Sequence, residues 1–387
     1  MPVKLYLNKN VFEMALERIE RIYNEFPNVV VCLSGGKDST VILGLSKIVA
    51  KKMGRLPVNA MFIDQEAEWQ ATVDVMRKIR NDPEVSLNWY QMPIKIFNAS
   101  SHISDWLYCW KEGDQWMREK ESGSITENVY GTDRFKDLFP AILNHEFSGV
   151  KACQLGGMRA EETPKRAVGL TLSGTYKDIT YGKIASKKDE HYIFHPIYDW
   201  SYTDVWKFIH DYKLGYNRVY DLMYSIGIGV RDMRVSNLHH ETSLKALTLA
   251  QKFERDTWEK LLARLSGVNS IKQMSKDALT APSMYPPMFS GWVEYRDYLL
   301  ENLVQLPKAK EVFRKAFDRL DKRYAGMSDI VGLYKVEITS MLANDYYLTK
   351  LENWESRPQV FEYRKFGNKG SGYHNTKHWK GKKVKVK

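Results

Sequence analysis

Ser34-Gly35-Gly36-Lys37-Asp38-Ser39 follows one apolar run and precedes another. Two glycines in a turn let successive backbone N–H groups face an anion with no Cβ in the way. The N-terminus of a following helix adds the positive end of its dipole, which makes phosphate oxygens the natural ligand. Lys37 offers a point charge, and Ser34 and Ser39 offer short hydroxyl donors. Asp38 is out of place among phosphates unless a cation stands between, and Mg²⁺ is the expected cation. The turn lacks the first glycine and spacer of G-x-x-x-x-G-K-[ST], so it is not that loop. A second group, Gly156-Gly157-Met158-Arg159 with Arg166, ends the strand-like run Lys151–Leu155. Two guanidiniums beside two glycines suit bidentate phosphate recognition. Asp64 ends a third run, Pro57–Ile63, where it either meets a ligand or caps the next helix.

The elements that must hold these residues follow from periodicity. Residues 11–26 read as an amphipathic helix, with Val11, Met14, Ala15, Ile19 and Ile22 on one face. Asn28–Leu33 and Pro57–Ile63 are β-branched or apolar runs fit for strands buried on both faces. Lys37–Lys51 is a helix between them, Val73, Met76 and Ile79 mark another, and Val85–Met92 is a further strand. Tyr192–Pro196 reads as the last strand, and Ser201 with Asp204 opens a helix through Asp211. Strands alternating with helices predict an α/β fold, a doubly wound and mostly parallel sheet. Ligands of such sheets bind at the carboxyl ends of strands, where Ser34 and Asp64 fall.

The predicted domains are 1–235, carrying the loop and an irregular insertion near 98–135, then a helical region 236–360, then a basic tail 361–387 expected to be disordered when free. The helical region divides into 241–265, 288–303, 307–324 and 327–345. No run of about 18 apolar residues occurs, and the start of the chain is charged and amphipathic, so a cytoplasmic protein with no membrane span is expected. The net charge of +11 is a property of the tail. Nine Lys and Arg and no acid lie in 364–387, leaving 49 basic against 47 acidic residues elsewhere.

Ser34–Ser39 after a strand resembles the PP-loop of the ATP-pyrophosphatase (adenine nucleotide α-hydrolase) superfamily. Three further stretches are similar to its PAPS-reductase-like branch: "MFIDQEAEW", "GGMRAEETPKR", and "FHPIYDWSYTDVWKFI" followed by "GYNRVYDLMYSIG". The resemblance runs over roughly residues 27–230, and the helical region after it looks like the extension of non-reductase relatives. It implies a HUP-type fold and a nucleotide site of Ser34, Gly35, Gly36, Lys37, Asp38, Ser39, Asp64, Gly157, Arg159 and Arg166. Lys37, Asp38 and Arg159 are the implied catalytic residues and Asp38 the implied Mg²⁺ ligand, with Asp64 on the adenosine side. Trp200, Trp206, Asp199 and Asp204 read as structural, and His195, His239 and His240 as satisfied or surface histidines.

The reductases of that branch use a C-terminal thiolate, and some carry an iron–sulfur cluster. Cys32, Cys109 and Cys153 are the chain's three cysteines, none at C-x-x-C spacing, and Ile228 stands where one cluster thiolate would be. Reduction of PAPS is therefore disfavoured and no cluster is expected, while Cys109 could accept a sulfur atom. What remains is cleavage of ATP to AMP and pyrophosphate, with transfer of the adenylate to an acceptor oxygen that sulfur then displaces. The tail places Phe366, Tyr373, His374 and Trp379 among lysines, a composition that neutralises phosphates and stacks on bases. Arg364, Lys365, Lys369, Lys377, Trp379, Lys380, Lys382 and Lys383 are the expected nucleic-acid contacts. These features resemble the ATP-pyrophosphatase component of Ssp-type DNA phosphorothioation systems, which implies DNA and a cysteine desulfurase or other sulfur donor as partners. Two alternatives stay open, a tRNA- or nucleotide-thiolating enzyme and an IbrA-type nucleotide-binding regulator with a ParB-like partner.

Overall fold

The runs that read as strands do so because their residues fill two faces at once. In β1 (Asn28–Leu33), Val29, Val30, Val31 and Leu33 are all buried, a pattern only a central strand satisfies. The computed structural model describes residues 7–97, 106–171, 176–177, 179–238, 244–264 and 280–366. In it β1 joins β2 (Val58–Ile63), β3 (Val85–Tyr90), β6 (Ala152–Leu155), β7 (Gly182–Ser186) and β8 (His191–Phe194) in one sheet of order β3-β2-β1-β6-β8-β7. Two other short strands, β4 (Ile94–Phe97) and β5 (Trp106–Cys109), stand outside it. Every pairing in the six-stranded sheet is parallel except β7 with β8. Val31 lies between Ala60 of β2 and Leu155 of β6. The strand order therefore reverses across β1, and the turn at its carboxyl end is the topological switch point.

Helices α1 (Val11–Glu25), α2 (Lys37–Lys52) and α6 (Tyr202–Asp211) bury Ala15, Ile19, Ile42, Leu45, Val205 and Phe208 in the same core as the sheet. Asn10 with Glu13 caps α1, and Ser201 with Asp204 caps α6, each as a reciprocal box. Helices α3 (Gln70–Arg80), α4 (Phe135–Glu146), α5 (Pro164–Thr171) and α7 (Val219–Ser225) complete the flanks.

The chain forms two compact units, Met1–Ile96 with Tyr108–Arg264, and Phe97–Leu107 with Leu265–Lys387. The first reaches past residue 235, where the sequence pattern turns helical. It takes in α8 (Leu244–Phe253) and α9 (Arg255–Arg264) because Glu254, between them, accepts the Gln70 and Ala71 N–H groups at the start of α3. The second unit holds α10 (Trp292–Asn302), α11 (Pro307–Tyr324), α12 (Ile330–Leu342), α13 (Thr349–Glu355) and α14 (Pro358–Phe366) around Phe313, Phe317, Leu320, Leu333, Met341 and Trp354. Helix α14 continues through the first six residues of the segment expected to be unstructured. Val360 is buried and the Tyr363 hydroxyl donates to the Ala325 carbonyl at 2.8 Å. Lys369, Lys377, Trp379, Lys380, Lys382 and Lys383 lie outside the described residues, as do His239, His240 and the Lys365 side chain. Among the described residues no helix is long and apolar enough to cross a membrane.

Candidate nucleotide site

The loop turns because Gly35 adopts φ +70°, and a Cβ there would stand 2.6 Å from Thr72 Cγ2 on α3. Gly36 caps α2 without a side-chain acceptor of its own, and apart from the Lys37 N–H, which Tyr220 accepts, the first-turn N–H groups face the space an anion would take. The two serines organise the turn itself. Ser39 Oγ donates to the Gly36 carbonyl at 2.9 Å and accepts the Ser34 N–H at 3.2 Å.

Lys37 is buried, and its ammonium lies 3.2 Å from Asp38 Oδ2 and 3.4 Å from the Met233 carbonyl. Burial lowers its pKa, against the pull of Asp38 and with the push of Arg159 and Arg234. Arg159, also buried, donates through Nε to Asp38 Oδ1 at 2.6 Å and through Nη1 to Glu161 and the Trp200 carbonyl. Asp38 is thus held between two cations of the protein, which resolves its presence in a phosphate loop without a metal. Among the described residues no three His, Cys, Asp or Glu converge as a metal group. A Mg²⁺ here fits only as a companion of nucleotide phosphates with Asp38 as single protein ligand, the usual mode for that ion.

Gly157 has a packing reason. A Cβ on it would come within 2.8 Å of the Asp38 backbone, so the β6 turn and the loop touch at van der Waals distance. Arg166 on α5 is ion-paired with Glu162, and its pKa is lowered by burial and by Arg234. His195 is a satisfied core histidine whose Nδ1 donates to the Gly156 carbonyl at 3.1 Å, and burial holds its pKa down at about 4. The sequence reading thus placed Ser34 to Ser39, Gly157 and Arg159 in one cluster, and the structure brings them together, with Arg166 coupled to it electrostatically.

Asp64 is different. It is fully buried, its carboxylate accepts from the Glu66 N–H, Trp89 Nε1 and Gln91 Nε2, and it is paired with Arg118. With Oδ2 taking three of these contacts and Oδ1 the fourth, it anchors the end of β2 to β3 and the insertion, a structural role beside the adenosine contact expected of it. Glu66 is likewise buried, accepting the Trp110 and Met117 N–H groups and Arg264. Cys109 is buried, with its thiol pushed well up by burial and next by Glu66, so it is not disposed to carry sulfur as a thiolate.

Three contributors were missed in the sequence reading, two of them within a stretch it had quoted. Tyr220, on α7, accepts the Lys37 N–H at 2.9 Å, and its ring lies against the Lys37 ammonium. Asn217 donates to the Gly35 carbonyl and to Thr72 Oγ1, tying the loop to α3. The Met233 carbonyl receives Lys37. The first two sit in "GYNRVYD", whose polar side chains beside buried apolar ones were the available signal.

The chain is similar to an uncharacterized protein, YbdN, of Escherichia coli strain K12, at 29% identity over 277 residues covering 69% of this chain and 68% of that one. Among solved structures it is similar to phosphoadenylyl-sulfate reductase from Candida auris (16% identity, TM-score 0.33, 62% of this chain and 98% of that one). A second is an NH3-dependent NAD synthetase from Campylobacter jejuni (14% identity, TM-score 0.31, 68% and 91%). Overlap at that level says nothing of the site. Residues 227–357 match a domain of unknown function, DUF3440. Residues 28–230, from the strand that carries the loop to the turn beyond α7, match the phosphoadenosine phosphosulfate reductase domain, and the chain belongs to that nucleotide-binding PP-loop family.

Proposed function

We propose that the site cleaves ATP between its α and β phosphates and passes the adenylate to an acceptor oxygen, which sulfur later displaces. The observation that carries this reading is the Lys37–Asp38–Arg159 clamp, a pair of buried cations held by one carboxylate at a glycine turn. The β and γ phosphates rest on the Ser34–Ser39 turn. The acceptor oxygen bonds to the α-phosphorus as the bond from that phosphorus to the bridging oxygen breaks, and pyrophosphate leaves with that oxygen. Lys37 and Arg159 are fixed before the reaction begins, so they stabilise the charge gathering on the phosphates without reorganising. Mg²⁺ bound with the nucleotide would neutralise phosphate charge beside Asp38. A sulfur nucleophile then attacks the activated centre and AMP departs.

Reductive chemistry has no suitable thiolate here. Burial pushes the Cys32 thiol up to about 12 and those of Cys109 and Cys153 well above the ordinary range. Sulfur would therefore come from outside, as from a cysteine desulfurase. The acceptor we favour is a DNA phosphate, on the charge of the segment after α14. Seven lysines and no acid lie in 367–387. Truncation after Phe366, which spares α14, is expected to weaken DNA binding. It should also flatten the salt dependence by about 0.7–0.9 log units per lost phosphate contact, read by fluorescence anisotropy across a salt series. An unchanged slope removes the tail from the interface. Binding retained for tRNA but absent for DNA replaces the acceptor with RNA.

A further inference from the structure

The segment after α7 lies on the loop. Met233 offers its carbonyl to Lys37, whose own N–H donates to the Tyr220 hydroxyl. The next residue, Arg234, is exposed, and its Nη2 donates to the Glu162 carbonyl at 3.4 Å. Glu162 is the residue whose carboxylate pairs with Arg166. Among the described residues Arg234 meets no carboxylate. Its charge is nonetheless felt at both Lys37 and Arg166, whose pKa values it lowers. Contacts on Met233 and Arg234 thus hold a guanidinium with no carboxylate partner beside two other cations, an arrangement that like-charge repulsion opposes and a multiply charged anion relieves.

We propose that Arg234, with Arg166, holds a phosphate group of the nucleotide at the edge of the Ser34–Ser39 turn. The polypeptide beyond residue 230 then decides which nucleotide the loop retains. This rests on the nucleotide reading above and adds a specificity residue to it. The group is a terminal phosphate that AMP lacks, and two positions on an adenine nucleotide supply one, the γ-phosphate of ATP and a 3′-phosphate. Arg234 lies in the region shared with DUF3440, so the two matched regions meet at this site.

Calorimetric titration of the full chain with AMP, ATP and adenosine 3′,5′-bisphosphate tests it, in the wild type, Arg234→Ala and Arg234→Lys. Arg234→Ala is expected to lose about tenfold in affinity, about 1.4 kcal/mol, for the nucleotide carrying the extra phosphate. AMP affinity is expected to stay unchanged, with partial recovery in Arg234→Lys. Loss confined to ATP assigns the γ-phosphate, and loss confined to the bisphosphate assigns the 3′-phosphate. Equal weakening for AMP, no weakening at all, or a wild type indifferent to the extra phosphate overturns the proposal while leaving the loop as a nucleotide site. A wild type that binds none of the three overturns the nucleotide reading itself, and this proposal falls with it.

Discussion

At the scale of single residues the loop is held by close contacts that allow only certain side chains. Gly35→Ala places a Cβ on a left-handed backbone, which costs about 1–2 kcal/mol, and drives it into Thr72 Cγ2. Thr72→Ser removes that methyl while keeping the hydroxyl that receives Asn217. The double variant is therefore expected to recover part of the thermal stability lost in Gly35→Ala and none of the backbone strain. Equal melting temperatures for the single and double variants would remove Thr72 from the account. Much of this scale was legible: Ser34 to Ser39, Gly157 and Arg159 could be named from residue type and spacing. Asp64 reads as a ligand-facing residue because its position at a strand end is visible in sequence, whereas Trp89 and Gln91 at the end of β3 and Arg118 of the insertion, which crowd its Oδ2, come from two other places in the chain. Tyr220 was passed over for the same reason. Nothing local says that its hydroxyl lands 183 residues away on the Lys37 amide.

At the scale of elements, apolar continuity identified β1, β2, β3, β6 and β8 to within two residues at each end. It could not find β7, Gly-Lys-Ile-Ala-Ser, an edge strand with only one neighbour to bury against. Nor could it divide the helical stretch 241–265 into α8 and α9 or place them in the first unit. Their packing depends on Glu254, which reaches the start of α3 with Oε2 at 2.7 Å from the Gln70 N and Oε1 at 3.0 Å from the Ala71 N. This buried carboxylate caps a helix that carries none of its own, and it also receives the Thr257 hydroxyl. Glu254→Ala is expected to destabilise the first unit by about 1–2 kcal/mol and to speed amide exchange at Gln70 and Ala71. Unaltered exchange at those two amides would show that the cap contributes nothing. Because α3 also carries Thr72, loosening its start is expected to reach the nucleotide loop.

At the scale of the whole molecule, charge and periodicity distinguished an α/β portion from a helical one, and the family match covers the first of these. Where the first unit ends depends on tertiary contacts at Glu254 rather than on any change in composition. The molecule joins a glycine turn at a topological switch point to three thiols whose pKa values burial raises. That combination favours a nucleotide half-reaction with sulfur brought from elsewhere. The central claim is which bond of the nucleotide breaks. Incubation of the full chain with α- and γ-labelled ATP, Mg²⁺, DNA and a sulfur donor, followed by separation of products, answers it. The account predicts labelled AMP and pyrophosphate, both lost in Lys37→Ala; ADP with inorganic phosphate would contradict it.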